Sequence, residues 1–180
     1  MEIKYFDIEG LIEILPKKYE DNRGYLFESY NEDEFRKINI NDDFIQDKQS
    51  FSKKGVIRGL HLQKTPFEQG KLVRIISGKV LDVAVDVRNN SKTYGQYVII
   101  ELSAEKNNIF YIPKGFAHGF VALEDSIFNY KCSGLYNKES EISINPLDND
   151  LKINWGIENP ILSEKDTFGL SFSEYTKLFN

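Results

Sequence analysis

Three things are scarce in this sequence. Cysteine occurs once, as Cys132, so no intrachain disulfide can form and the usage fits a reducing, cytoplasmic setting. Histidine occurs twice, at His61 and His118, which leaves imidazole chemistry only two places to reside. Positive charge is in deficit: 23 Lys and Arg against 28 Asp and Glu give a formal charge of -5, which argues against a nucleic-acid partner. No apolar run approaches the roughly 20 residues of a membrane span. The opening MEIKYFDIEG carries acids early, unlike the basic-then-apolar layout of a signal peptide.

What is abundant points to β-structure. With 13 Phe, 10 Tyr and many Ile and Val, 180 residues suffice for one domain with a full core, and the expectation is a single domain over 1–180. Strand-like segments fall near 11–15, 26–30, 43–51, 56–63, 71–77, 79–88, 96–102, 108–112, 119–123, 127–132 and 141–144. Turn signals at about 8–12 residue spacing separate them, the pattern of an all-β sandwich or barrel. Ser77-Gly78 between two apolar runs predicts a hairpin. Helices are few and short. Asn31 caps a predicted helix over 32–37, and the tail allows two more near 163–167 and 173–178.

One strand pattern bears on function. In Leu81-Asp82-Val83-Ala84-Val85-Asp86-Val87-Arg88 the valines share one face and Asp82, Ala84, Asp86 and Arg88 the other. Either the polar face meets solvent, or the strand lines a barrel with a polar pocket inside. Both histidines lie in glycine-bearing β segments, His61 in Gly59-Leu60-His61 and His118 in Ala117-His118-Gly119. Arg58, Lys71 and Arg74 supply cations near the first, with Tyr130 and Tyr136 further along. A neutral imidazole is a suitable general base, an ammonium stabilises an oxyanion, and a phenol can return a proton. That set suits proton abstraction beside a ketone.

Pro113-x-Gly115-x-x-His118 resembles the second motif of the cupins, small jelly-roll barrels with a site inside. The first cupin motif is incomplete: His61-Leu62-Gln63 lacks the second imidazole, leaving His61, Glu68 and His118 as a minimal metal set. The expectation is metal-free chemistry, with a metal-dependent cupin as a minor alternative.

Longer strings narrow the family. Arg58-Gly59-Leu60-His61, Gln69-Gly70-Lys71-Leu72-Val73-Arg74, Asp82 to Arg88, Ile112-Pro113 with Gly115 to Phe120, and Tyr130-Lys131-Cys132 closely resemble the dTDP-4-dehydrorhamnose 3,5-epimerases. Asp21-Asn22-Arg23-Gly24 and Leu162 to Asp166 fit the same family. The resemblance implies a cupin double-stranded β-helix with a few short peripheral helices. It further implies a homodimer that takes a nucleotide-sugar substrate, a dTDP-4-keto-6-deoxyhexose, without cofactor or metal. By the same resemblance His61 is the base, Asp166 its paired carboxylate, Lys71 the enolate stabiliser and Tyr130 the proton donor. Arg23, Glu28, Gln46, Arg58, His118, Tyr136 and Glu141 fall on substrate-side positions, Asp82 backs His118, and the N-terminal segment reaches the neighbouring subunit.

Three departures stand out. Lys48 follows Gln46-Asp47 where the family usually has Asn, Leu62 replaces a common aromatic, and Leu135-Tyr136-Asn137-Lys138 replaces paired tyrosines. They leave open a related enzyme that inverts only carbon 3 or carbon 5.

Overall fold

The alternating apolar residues become the strands of two facing antiparallel sheets in a computed structural model, which describes residues 1–179. The strands are β1 (Glu2–Tyr5), β2 (Ile12–Leu15), β3 (Tyr19–Asp21), β4 (Gly24–Leu26), β5 (Gln46–Ser52), β6 (Ile57–Gln63), β7 (Lys71–Ser77) and β8 (Lys79–Asp86). They continue as β9 (Tyr97–Ser103), β10 (Ile109–Ile112), β11 (Phe116–Ala122), β12 (Ser126–Cys132) and β13 (Glu141–Ser143). One sheet runs β1-β2-β10-β7-β12-β5 and the other β13-β6-β11-β8-β9, while β3 and β4 form a separate hairpin. This is the expected jelly roll.

Among the described residues its α-helices are α1 (Glu32–Arg36), α2 (Glu164–Thr167) and α3 (Phe172–Phe179), with one 3-10 turn at Lys138–Ser140. The Asn31 side chain accepts from the Glu34 amide, and acids fill the first turn of α1, as its dipole favours.

The main core lies between the sheets. Val73, Ile75, Phe110, Ile112 and Phe128 from one meet Val80, Ala84, Ile100, Leu102, Phe116 and Phe120 from the other. Each sheet is also covered outside. On the smaller sheet Val83, Val85 and Val87 pack under Trp155, Leu151 and Tyr175 of the C-terminal region. Phe35 and Ile40 cover the larger sheet at Ile14, Leu72 and Tyr111. β8 is therefore buried on both faces: Val83 and Val85 face the C-terminal cover, while Val80, Asp82 and Ala84 face inward with no exposure. The polar-interior reading of this strand holds.

Some expectations needed correction. Ser77-Gly78 is no hairpin, because β7 pairs with β10 and β12 while β8 pairs with β9 and β11. The turn carries the chain from one sheet to the other. Gly78 has φ +83°, and a side chain there would strike the Asp125 carbonyl. Two apolar runs joined by a short turn look alike in either geometry, since only the partner strands differ. The segment expected at 26–30 is strand only to Leu26. β1 and β3 were not anticipated, being short and largely exposed.

Candidate active site

A cavity of about 400 Å³ opens between the sheets, lined by Arg58, His61, Lys71, His118, Tyr130 and Asp166 together with Ser50, Phe120, Phe128, Ser163 and Lys165. A second, of about 170 Å³, adjoins it through His61, Lys71 and Tyr130 and adds Lys48, Gln63, Gln69, Tyr136 and Glu141. Base, ammonium and phenol thus sit where two compartments meet.

The sheet register explains how they converge. Paired residues share a face, so Ser143, His61, His118 and Ala84 form one inward row across the smaller sheet. On the larger sheet Lys48, Tyr130 and Val73 form one inward row, and Gln46, Cys132 and Lys71 the next. His61 and Tyr130 therefore approach from opposite walls. Arg58 lies three residues before His61 and would point away in a regular strand. Gly59, at φ +140°, breaks the alternation in a bulge of β6, where Arg58 to His61 stand opposite only His118 to Phe120 of β11, and both side chains reach the same cavity. A Cβ on Gly59 would stand 2.5 Å from the Gly119 Cα.

His61 Nε2 is 2.6 Å from Asp166 Oδ1. Asp166 is buried at 3% exposure and its backbone N–H donates to the Ser163 hydroxyl, which caps α2. Burial would raise the Asp166 carboxyl, but the bond to His61, with Ser163 and Lys165 near, holds it below its ordinary value. A charged carboxylate fixes the proton on Nε2 and leaves Nδ1 with its lone pair. This is the geometry of a general base.

Behind it stands a second acid–imidazole pair. His118 Nε2 lies 3.0 Å from both Asp82 oxygens, and its Nδ1 is 3.4 Å from Lys71 Nζ. Lys71 also donates to the His61 carbonyl at 3.4 Å. Burial pushes His118 down and Asp82 up, so full charge separation within this pair is disfavoured. With its proton held at Nε2, His118 Nδ1 accepts from Lys71 and aims that ammonium into the cavity. Lys71 is itself lowered, first by burial and then by Lys48, against the pull of Cys132, Asp82 and Glu141. Burial likewise raises the phenol of Tyr130.

Glu141 joins two elements at the mouth: Lys165 donates to one oxygen at 2.8 Å and Tyr136 to the other at 3.1 Å. Burial raises this carboxyl, but those partners outweigh it and leave it lowered. Arg58 is steadied by Ser52 Oγ at 2.9 Å and the Phe51 carbonyl at 3.0 Å. Gln46 holds a buried Oε1 with no partner among the described residues and lines neither compartment. Arg23 and Glu28 lie elsewhere. Arg23 pairs with Asp21 on the exposed β3–β4 hairpin, and Glu28 accepts from Asn31. Arg74, counted among the nearby cations, lines neither compartment.

The metal alternative loses its donors. Glu68 lines a different cavity, beside Lys64 and Tyr175, and each imidazole commits Nε2 to a carboxylate. Among the described residues no three His, Cys, Asp or Glu side chains are grouped to hold a metal. Sequence reasoning overlooked Ser163 and Lys165 as site residues. The signal was present, since a serine three residues before Asp166 reads as a helix cap.

Residues 5–174 match the family model described as dTDP-4-dehydrorhamnose 3,5-epimerase. The chain belongs to this family. A family enzyme of that name from Methanothermobacter thermautotrophicus is 48% identical over 163 residues, with 88% of each chain covered. Two solved structures of family members superpose closely. The Elizabethkingia anophelis dTDP-4-dehydrorhamnose 3,5-epimerase has a TM-score of 0.92 at 47% identity, covering 96% of this chain and 97% of that one. A Legionella pneumophila dTDP-6-deoxy-D-glucose-3,5-epimerase in complex with dTDP-4-keto-L-rhamnose has a TM-score of 0.92 at 45% identity, covering 96% and 93%. No helix among the described residues is long and apolar enough to cross a membrane.

Proposed function

We propose that this chain, acting as one domain over 1–180, is an isomerase that inverts carbons 3 and 5 of dTDP-4-dehydro-6-deoxy-D-glucose to give dTDP-4-dehydro-L-rhamnose. The observation that carries the reading is the 2.6 Å contact of His61 with Asp166 in a cavity that also holds Lys71 and Tyr130. Both carbons flank the 4-keto group, so removing either proton yields an enolate on the same oxygen. His61 Nδ1 takes the proton, and Asp166 stabilises the imidazolium that results. Lys71, steered by His118 and Asp82, faces the developing oxyanion. Tyr130 returns a proton from the opposite wall, and return on the opposite face is inversion. The same set serves twice if the ring readjusts between steps.

Arg58 and Lys165 supply cations for the diphosphate, and Tyr136 with Glu141 borders the sugar compartment. We assign the reaction to the cytoplasm, in keeping with one buried cysteine. We further propose a homodimer. The β3–β4 hairpin leaves Tyr19 at 58%, Tyr25 at 55% and Leu26 at 65% exposure, an apolar arm that its own chain leaves largely uncovered. Arg23 and Glu28 on and beyond that arm then reach the neighbour's cavity.

The test is incubation with dTDP-4-dehydro-6-deoxy-D-glucose in heavy water, read by proton NMR. His61-dependent deuterium at both carbons supports the double epimerase. Label at one carbon means a monoepimerase, and label at neither overturns the reading.

A further inference from the structure

Lys48 is the strongest feature of the site that the reaction above leaves unused. It sits on β5 directly opposite Tyr130 of β12, on the inward face, and lines the smaller compartment. Its ammonium lies 5.8 Å from the centre of the Tyr130 ring and 5.9 Å from that of Tyr136. Nearby carboxylates are already committed: Glu141 to Tyr136 and Lys165, and Asp47, on the opposite face of β5, to Lys131 and Asn129. Among the described residues Lys48 makes no ion pair and no side-chain hydrogen bond. Its charge is therefore spent on the two aromatic rings.

A cation beside a phenol interacts more strongly with the phenolate, because the ring then carries net negative charge. Tyr130 must pass through that form. As it gives its proton to the sugar, its O–H bond breaks, a C–H bond forms at the enolate carbon, and the electron pair stays on the phenolic oxygen. His61 keeps the proton it removed, and proton exchange with solvent resets both groups before the second inversion and again before the next turnover. Burial opposes the phenolate, so a compensating charge matters here.

We propose that Lys48 is a positioning residue that stabilises the phenolate of Tyr130, held in place by the Tyr136 ring, which Glu141 anchors in turn. The inference rests on Tyr130 being the proton donor of the proposed epimerase. Other groups facing this phenol are Arg58 and His61 on β6, Lys71 on β7, His118 on β11, Cys132 on β12, Glu141 on β13, and Lys165 with Asp166 on α2. Arg58 favours ionisation, whereas Cys132 and Glu141 oppose it. Lys48 is the cation nearest in register, directly across the strand pair.

The test compares Lys48→Gln with Lys48→Arg by absorbance titration of the tyrosines in the substrate-free protein. Each variant is titrated with and without an added Tyr130→Phe substitution, and the difference between the two curves isolates one phenol among 10. Ammonium groups and phenols titrate in overlapping ranges, whereas a guanidinium keeps its charge, so Lys48→Arg is the charged reference. The Tyr130 midpoint should lie about one unit higher in Lys48→Gln than in Lys48→Arg. A midpoint shared by both variants would overturn the inference. In turnover, Lys48→Gln should lower kcat about tenfold with KM nearly unchanged, and Lys48→Arg should restore most of it. A merely structural lysine would move neither the midpoint nor the kcat–KM split in this charge-dependent way. Because the titration needs no substrate, it stands apart from the epimerase reading, whose failure would appear as absent deuterium labelling in the unaltered protein.

Discussion

His61 and Asp166 stand 105 positions apart in the chain and 2.6 Å apart in the fold. One comes from β6 on the wall of the cavity, the other from α2 in the C-terminal segment that closes over it. The contact is short because Asp166 is fixed from its own backbone: Ser163 caps the helix by accepting from the Asp166 amide. Replacing His61 by Asn should remove the base and lower kcat by about 10³-fold or more, with KM changed little. Asp166→Asn keeps the shape but not the charge, and should cost about 10²–10⁴-fold by releasing the wrong tautomer. Steady-state kinetics on the two variants checks both. Equal activity of Asp166→Asn and the parent would show that the pair does not act in turnover.

Tyr130 and His61 sit on opposite sheets, and that separation predicts how the steps come apart. Tyr130→Phe should leave proton removal by His61 intact while blocking return from the other wall. The variant should exchange sugar protons for deuterium with configuration retained, and its net inversion should fall about 10²-fold. Chiral analysis of the labelled sugar reads this directly. Undiminished inversion would assign the donor elsewhere.

Lys71 carries the oxyanion role only while charged, and burial pulls its pKa below the ordinary lysine value. The protonated form is therefore lost at lower pH than for an exposed lysine, and kcat should fall on the alkaline side accordingly. Lys71→Gln should abolish that limb and lower kcat by about 10²–10³-fold across the range. A pH–rate profile of the parent and the variant checks the sign and the assignment.

The sequence was most legible where local rules suffice. Asn31 before Glu32-Asp33-Glu34 announced α1, and the alternation in β8 announced a strand. The polar side of β8 could not be assigned to pocket or solvent from spacing, because that depends on β11 and the facing sheet. Ser77-Gly78 misled for a related reason, since a turn between sheets and a turn within one share the same residues. Family likeness supplied the pairing of His61 with Asp166, which no local pattern could reach. It also pointed to Arg23 and Glu28, which their own chain leaves outside the cavity. Lys165 went unnoticed because its partner, Glu141, lies on another element 24 residues away.

Asp86 offers a stability test away from the chemistry. It has no exposure, and it accepts bonds from Arg88, Ser91 and Thr93 at the end of β8. Burial raises its carboxyl, but these donors win and bring it from 3.8 down to about 2. A folded-state value below the unfolded one contributes stability above the unfolded pKa, here about 2 kcal/mol. That contribution should fade as pH falls from about 4 toward about 2. Asp86→Asn should lower stability near neutral pH by about that amount and flatten its dependence across the acid window. Urea melts of both proteins at several pH values test it, and parallel acid profiles would refute the assignment.

The exposed arm makes the last prediction. Arg23 is 85% exposed at its side chain and, among the described residues, paired only with Asp21, a contact of little energetic weight in water. If Arg23 completes the neighbour's cavity, Arg23→Ala should raise KM severalfold without unfolding the protein. Its defect should then be complemented by a second inactive chain. A mixed dimer of Arg23→Ala with His61→Asn contains one cavity built from the intact His61 of the first chain and the intact Arg23 of the second. Mixing the two purified variants under conditions of subunit exchange should therefore restore parent-like KM and a fraction of the parent activity. If the mixture never exceeds the Arg23→Ala protein alone, each cavity is complete within one chain and the shared-site dimer is wrong.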